Sequence, residues 1–112
     1  EQVVPPTHRV FDNEARTVSV KSKSIPELIK VLTDEGFNQV LVEAGPTLGS
    51  ALMASGKIDE LIVYQAPKML GADKEFVSHL GISTLDDHIE LELLSVAQFG
   101  GDIKSHYIVR GR

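Results

Sequence analysis

The chain has no cysteine among its 112 residues. That excludes a disulfide framework and a thiolate metal centre, and it fits a reducing cytoplasm. Positive charge is in short supply: 11 Lys and Arg face 16 Asp and Glu, a net charge of −5. Such a balance argues against a nucleic-acid surface. It leaves room for a phosphorylated small molecule, because one helix terminus can hold a phosphate inside an acidic protein. Long apolar runs are also absent, so the sequence offers no transmembrane helix. The start, Glu1-Gln2-Val3-Val4-Pro5-Pro6, is neither basic nor followed by an apolar segment, unlike a signal peptide. His8, His79, His88 and His106 are scattered without metal-ligand spacing, and surface histidines are the default reading. Asp86-Asp87-His88 reads as a solvated polar loop, and Lys68 as a solvated lysine.

What is present is enough for one core, with 42% hydrophobic residues. Residues 1–16 read as an extended lead-in with a turn at Asp12-Asn13-Glu14. Thr17-Val18-Ser19-Val20 alternates like a short strand. Ser24-Ile25-Pro26-Glu27 is a capping-box start. Ile25, Leu28, Ile29 and Leu32 then recur on one helix face, until Gly36 ends the helix. Gln39–Glu43 reads as a strand buried on both faces. Pro46–Ser55 reads as a second helix, with Leu48, Ala51 and Leu52 facing the core, and Glu60–Gln65 as a further strand. This strand–helix–strand–helix–strand order predicts a mostly parallel sheet with right-handed crossovers, flanked by helices. Proline at Pro67 ends the strand signal, and residues 72–88 carry little pattern. Ile89–Phe99 alternates again, but the phase slips at Leu94, which predicts a β-bulge. Gly100-Gly101-Asp102 predicts a hairpin turn, and Ile103–Arg110 the last strand. The parallel core is thus expected to end in an antiparallel hairpin.

Val40-Leu41-Val42-Glu43-Ala44-Gly45-Pro46-Thr47-Leu48 is the most informative stretch. An apolar run ends in a carboxylate, a glycine turn and a proline-led helix start. The first N–H groups of a helix lack partners within it, and the helix dipole adds about half a positive charge there. A phosphate satisfies both. Gly45 allows close approach of the backbone, Pro46 presets the helix, and Thr47 and Ser50 carry hydroxyls. The plainer alternative is an ordinary strand–helix turn, with Glu43 neutralising the helix N-terminus.

Val42–Leu48, Ile58-Asp59-Glu60-Leu61-Ile62-Val63-Tyr64 and Ala66-Pro67-Lys68-Met69-Leu70-Gly71, in that order, resemble the reductase half of the bacterial riboflavin-biosynthesis deaminase/reductase family, the RibD type. Pro6-Thr7-His8-Arg9-Val10 resembles a segment in the middle of the family's reductase domain. Ala44 departs from the glycine often found in the family's turn. The resemblance implies a fold similar to dihydrofolate reductase. It implies that residues 1–112 are the C-terminal portion of one reductase domain, truncated at its N-terminus. The family's zinc deaminase needs cysteines that are missing here.

The activity implied is NADPH-dependent reduction of 5-amino-6-(5-phosphoribosylamino)uracil to its ribityl counterpart. By resemblance, Gly45, Pro46, Thr47, Leu48, Gly49, Ser50 and Ala51 bind NADPH, and Glu43 binds the phosphorylated pyrimidine substrate through sugar hydroxyls. A carboxylate, acceptor-only when ionised, suits a diol. No residue is assigned to acid–base catalysis and none to a metal. The resemblance also implies pairing as a homodimer. Two other readings remain: a non-catalytic dimerisation or nucleotide-binding module, and another reductase with a fold like dihydrofolate reductase.

Overall fold

The structure is a computed structural model, and it describes residues 4–22, 24–71, 77 and 80–111. It divides into two units, Glu1–Asn38 and Gln39–Arg112.

In the first unit, the lead-in is folded by local polar bonds. A single 3-10 turn, Arg9–Phe11, is capped by His8, whose Nδ1 accepts from the Val10 N–H at 3.2 Å. The Asp12 carboxylate accepts from the Glu14 N–H at 3.0 Å, as an Asx turn does. The Thr17 hydroxyl donates to the Val10 carbonyl. Helix α1, Ile25–Asp34, starts as its sequence dictates, with Ser24 as N-cap and Pro26 in the first turn. Ile25, Leu28, Ile29 and Leu32 are its half-buried side, joined by Val31 and Glu35. Glu35 pairs with Arg16 at 2.6 Å. Gly36, at φ 77°, supplies the left-handed residue that terminates the helix.

The second unit holds helix α2, Pro46–Ala54, and a three-stranded sheet in the order β1-β3-β2. The strands are β1, Glu60–Gln65; β2, Glu90–Phe99; and β3, Asp102–Gly111. Both pairings are antiparallel. β2 and β3 form the expected hairpin, turned at Gly100 with φ 59°. The phase slip at Leu94 is a real bulge: Leu93 pairs with Tyr107, but Ser95 pairs with the next residue back, His106. The extra residue keeps Leu91, Leu93 and Val96 in line with Val109, Tyr107 and Ser105. Without it, everything after Leu93 would change faces.

The other face of the sheet carries the charges. Glu60 on β1 meets His106 on β3 at 2.7 Å, and Glu92 on β2 meets Arg110 on β3. Tyr64 and Phe99 sit edge to face there, ring centroids 6.4 Å apart, with the Lys104 ammonium 5.9 Å over the Tyr64 ring. On the apolar side, the C-terminal end of α2 and residues Ile89, Val109 and Gly111 border a small cavity.

Three expectations need correction. The predicted parallel core is absent among the described residues: neither Thr17–Val20 nor Gln39–Glu43 is a strand, and the sheet present is wholly antiparallel. Val40, Leu41 and Val42, expected to be buried on both faces, are 45%, 79% and 42% exposed. A strand forms only where a neighbour accepts its backbone bonds, and an apolar sequence alone does not supply one. The inward side of α2 also differs. Ser50 and Leu52 are buried and Gly49 and Met53 half-buried, whereas Leu48 and Ala51 are exposed. The segment is apolar nearly all round, so spacing could not choose its face.

Leu52 is the one buried hydrophobic residue among those described, at 4% exposure. The accessible surface is 9776 Å². Two separate globules of these sizes would show about 7,200 Å². Much apolar surface therefore lies uncovered. In so thin a core, Leu52→Ala should cost about 2–3 kcal/mol. A lowered urea midpoint at unchanged m-value would register it, and an unchanged midpoint would refute Leu52 as the anchor of α2.

Candidate functional site

The site predicted from sequence lies entirely within the second unit. Glu43, Ala44, Gly45, Pro46, Thr47 and Leu48 follow one another along the surface, all exposed. Gly45 is the N-cap of α2, extended at φ −68° and ψ 170°, and provides no side-chain cap bond. Pro46 opens the helix, and its first turn contains no acidic residue. By contrast, α1 has both a serine cap and Glu27 in its first turn. The α2 N-terminus therefore keeps the positive end of its dipole without a carboxylate inside the first turn.

Both glycines of the stretch are open. A Cβ built at Gly45 or Gly49 would meet nothing within 4 Å. The Gly49 N–H donates to the Gly45 carbonyl at 2.9 Å, so the two glycines lie one helical turn apart. Neither has a positive φ that would demand glycine. Glycine inside a helix costs about 1 kcal/mol relative to alanine. Neither backbone conformation nor packing among the described residues calls for it here. A bare backbone strip at a helix start is a shape a phosphate can approach closely.

The two hydroxyls expected here separate. Thr47 is exposed, while Ser50 is buried at 3%. Both residues carry hydroxyls, but α2 buries that side of Ser50. Pro46, Thr47, Leu48 and Ala51 keep outward positions, and Gly49 is half-buried. Glu43 stands two residues before the N-cap, an exposed carboxylate at the same end of α2.

The remaining polar residues have structural work. His88 Nδ1 lies 2.6 Å from the Leu85 carbonyl, an ordinary N–H donation. His8 caps its turn, and His106 bridges β3 to β1. That last pairing was not foreseen from sequence. Its only signal was a polar residue on each of two strands whose pairing was unknown. Asp86 and Asp87 lie in a single 3-10 turn, Leu85–Asp87. His79 lies outside the described residues. Among the described residues no cluster of three acidic, histidine or cysteine groups could hold a metal. No helix among them is long and apolar enough to cross a membrane.

Comparison with known proteins gives a consistent result. The family model described as RibD C-terminal domain matches residues 1–105. A riboflavin biosynthesis protein RibD from Mycobacterium tuberculosis is 32% identical over 107 residues, which is 96% of this chain and 31% of that protein. A 5-amino-6-(5-phosphoribosylamino)uracil reductase from Buchnera aphidicola is 35% identical over 85 residues, covering 75% of this chain and 41% of that protein. Among solved structures, Acinetobacter baumannii RibD superposes with a TM-score of 0.80 at 26% identity, over 95% of this chain and 34% of that one. The chain thus spans about a third of the length of the RibD relatives it matches.

Proposed function

The chain belongs to the RibD C-terminal domain family, and from that premise we propose that it serves the NADPH-dependent reduction of 5-amino-6-(5-phosphoribosylamino)uracil in riboflavin biosynthesis. In this reading residues 1–112 are the C-terminal portion of a single reductase domain. The domain as a whole has a fold like dihydrofolate reductase, works in the cytoplasm and pairs as a homodimer. Thr17–Val20 and Gln39–Glu43 become strands of its parallel sheet once neighbours are present.

The observation that carries the reading is the open glycine strip at the uncapped start of α2, inside a family match that covers both. Gly45 and Gly49 leave the space that a pyrophosphate needs. The residues present therefore fit the phosphate region of NADPH. Gly45, Pro46, Thr47, Leu48, Gly49 and Ala51 would hold it, through backbone N–H groups and the Thr47 hydroxyl. Ser50, buried, would support the turn from within. When bound, the cofactor supplies the hydride that converts the ribosyl group to ribityl. The chain's own contribution is binding and orientation, worth several kcal/mol of barrier when the geometry is held. Glu43 accepts hydrogen bonds from the sugar hydroxyls and fixes the ribosyl group beside the cofactor site.

The test replaces the matching third of the M. tuberculosis relative with these 112 residues and follows NADPH oxidation. The chimera is expected to turn over the ribosylaminopyrimidine, and the 112-residue chain alone to show little or no turnover. A cooperatively folded chimera that neither binds nor oxidises NADPH would end the functional reading. Robust turnover by the 112 residues alone would end the claim that they are a portion of a domain.

A further inference from the structure

Three cations of β3, Lys104, His106 and Arg110, lie on the charged face of the sheet. Two of them have carboxylate partners: His106 meets Glu60 and Arg110 meets Glu92. Lys104 is half-buried and pairs with no carboxylate among the described residues. Its ammonium lies 5.9 Å over the Tyr64 ring instead. Tyr64 on β1 and Ala97 on β2 flank Lys104 in register. Ala97 is small and exposed, so the row stays open above the lysine stem. Phe99, two residues further along β2, meets Tyr64 edge to face. The two rings are 62% and 57% exposed.

The corner is braced where β1 ends. A Cβ built on Gly101, in the hairpin turn, would lie 3.8 Å from Pro67 Cγ. The Lys68 N–H donates to the Ala66 carbonyl at 2.8 Å, a tight turn around Pro67. Two open aromatic rings beside an ammonium without an anion are the elements that bind a planar heterocycle. The rings stack on it, and the ammonium donates to an acceptor on its edge.

We propose that Tyr64, Phe99 and Lys104 seat the pyrimidine ring of the substrate, with the Lys104 ammonium donating to a ring carbonyl oxygen. The proposal rests on the reading of the chain as part of the reductase. In that domain Gln39–Glu43 and β1 are the parallel strands on either side of α2. Successive parallel strands finish at the same end of a sheet, which is where ligands bind. Glu43 and Tyr64 therefore come to one end, the first for the ribosyl group and the second for the base. The adenine of the cofactor is the disfavoured occupant. Lys104 can only donate, and uracil offers carbonyl acceptors where adenine carries an amino donor.

Lys104→Met and Phe99→Ala in the chimeric reductase test the seat with three ligands. These are the ribosylaminopyrimidine, NADPH, and ribose 5-phosphate, which keeps sugar and phosphate without the base. Expected in each variant is a rise of about tenfold or more in KM for the ribosylaminopyrimidine. Inhibition by ribose 5-phosphate and affinity for NADPH should stay as they were. Lys104→Arg, which keeps charge and donors, should recover part of the KM. A merely structural role would weaken all three ligands together and recover nothing specific to the base. Unchanged KM in folded variants, or an equal loss for ribose 5-phosphate, would overturn the proposal. Weakened NADPH binding with KM kept would also overturn it, by giving the corner to adenine. An unsubstituted chimera that binds none of the three would refute the functional reading, and the seat would fall with it.

Discussion

Gly45→Asp should weaken NADPH binding about a hundredfold and leave the fold slightly more stable. The two effects have opposite signs because they act on different states. Gly45 is the N-cap of α2 at φ −68°, and a Cβ there meets nothing within 4 Å. Aspartate therefore fits without strain. It is also a better N-cap than glycine, so the helix gains a few tenths of a kcal/mol. The bound state fares worse. The new carboxylate would stand against the cofactor phosphates at a helix start whose first turn contains no acid. Two like charges about 5 Å apart at an effective dielectric near 20 repel by about 3 kcal/mol, or roughly a hundredfold in affinity. Calorimetry on the chimeric reductase would measure it, with thermal unfolding alongside. Unchanged affinity in a folded variant would remove the central claim about this turn. Lost affinity together with a lowered melting point would reduce the residue to a structural one.

Most of the local structure was legible in the sequence, because local rules produced it. Ser24 and Pro26 marked the start of α1, and Gly36 its end. The alternation of Ile89–Phe99, broken at Leu94, located both a strand and its bulge. The Gly100-Gly101 pair located the hairpin. What failed depended on neighbours. Val40-Leu41-Val42 has the composition of a buried strand, yet among the described residues no strand pairs with it and it stays exposed. Strand composition says which segment would pair, not what it pairs with. The order of elements pointed to parallel crossovers, whereas the sheet among the described residues is wholly antiparallel. The same distinction applies at the site. The glycine turn and the proline start were readable locally and lie where expected. The burial of Ser50 was not, because α2 is apolar on nearly every side and only packing chooses which side turns inward.

Glu43→Ala is the change expected to cost most in turnover. Two hydrogen bonds from sugar hydroxyls to a carboxylate are worth about 1.5–3 kcal/mol each. Losing them should lower kcat/KM for the ribosylaminopyrimidine by about a hundredfold or more. Stability should hardly move, since Glu43 is exposed and lies outside α2. The two readings of this carboxylate separate on the cofactor side. If Glu43 served only to neutralise the helix N-terminus, its removal would take a negative charge away from the cofactor phosphates. NADPH would then bind more tightly and turnover would be kept. If it holds the sugar, NADPH affinity changes little and the loss falls on the substrate. Glu43→Gln sharpens the comparison, because the amide keeps one acceptor oxygen but loses the charge. It should recover part of the binding of the ribosyl group, between the alanine variant and the parent. Steady-state kinetics at varied substrate and saturating NADPH would decide it. Full activity in Glu43→Ala with tightened cofactor binding would reassign the residue to the helix.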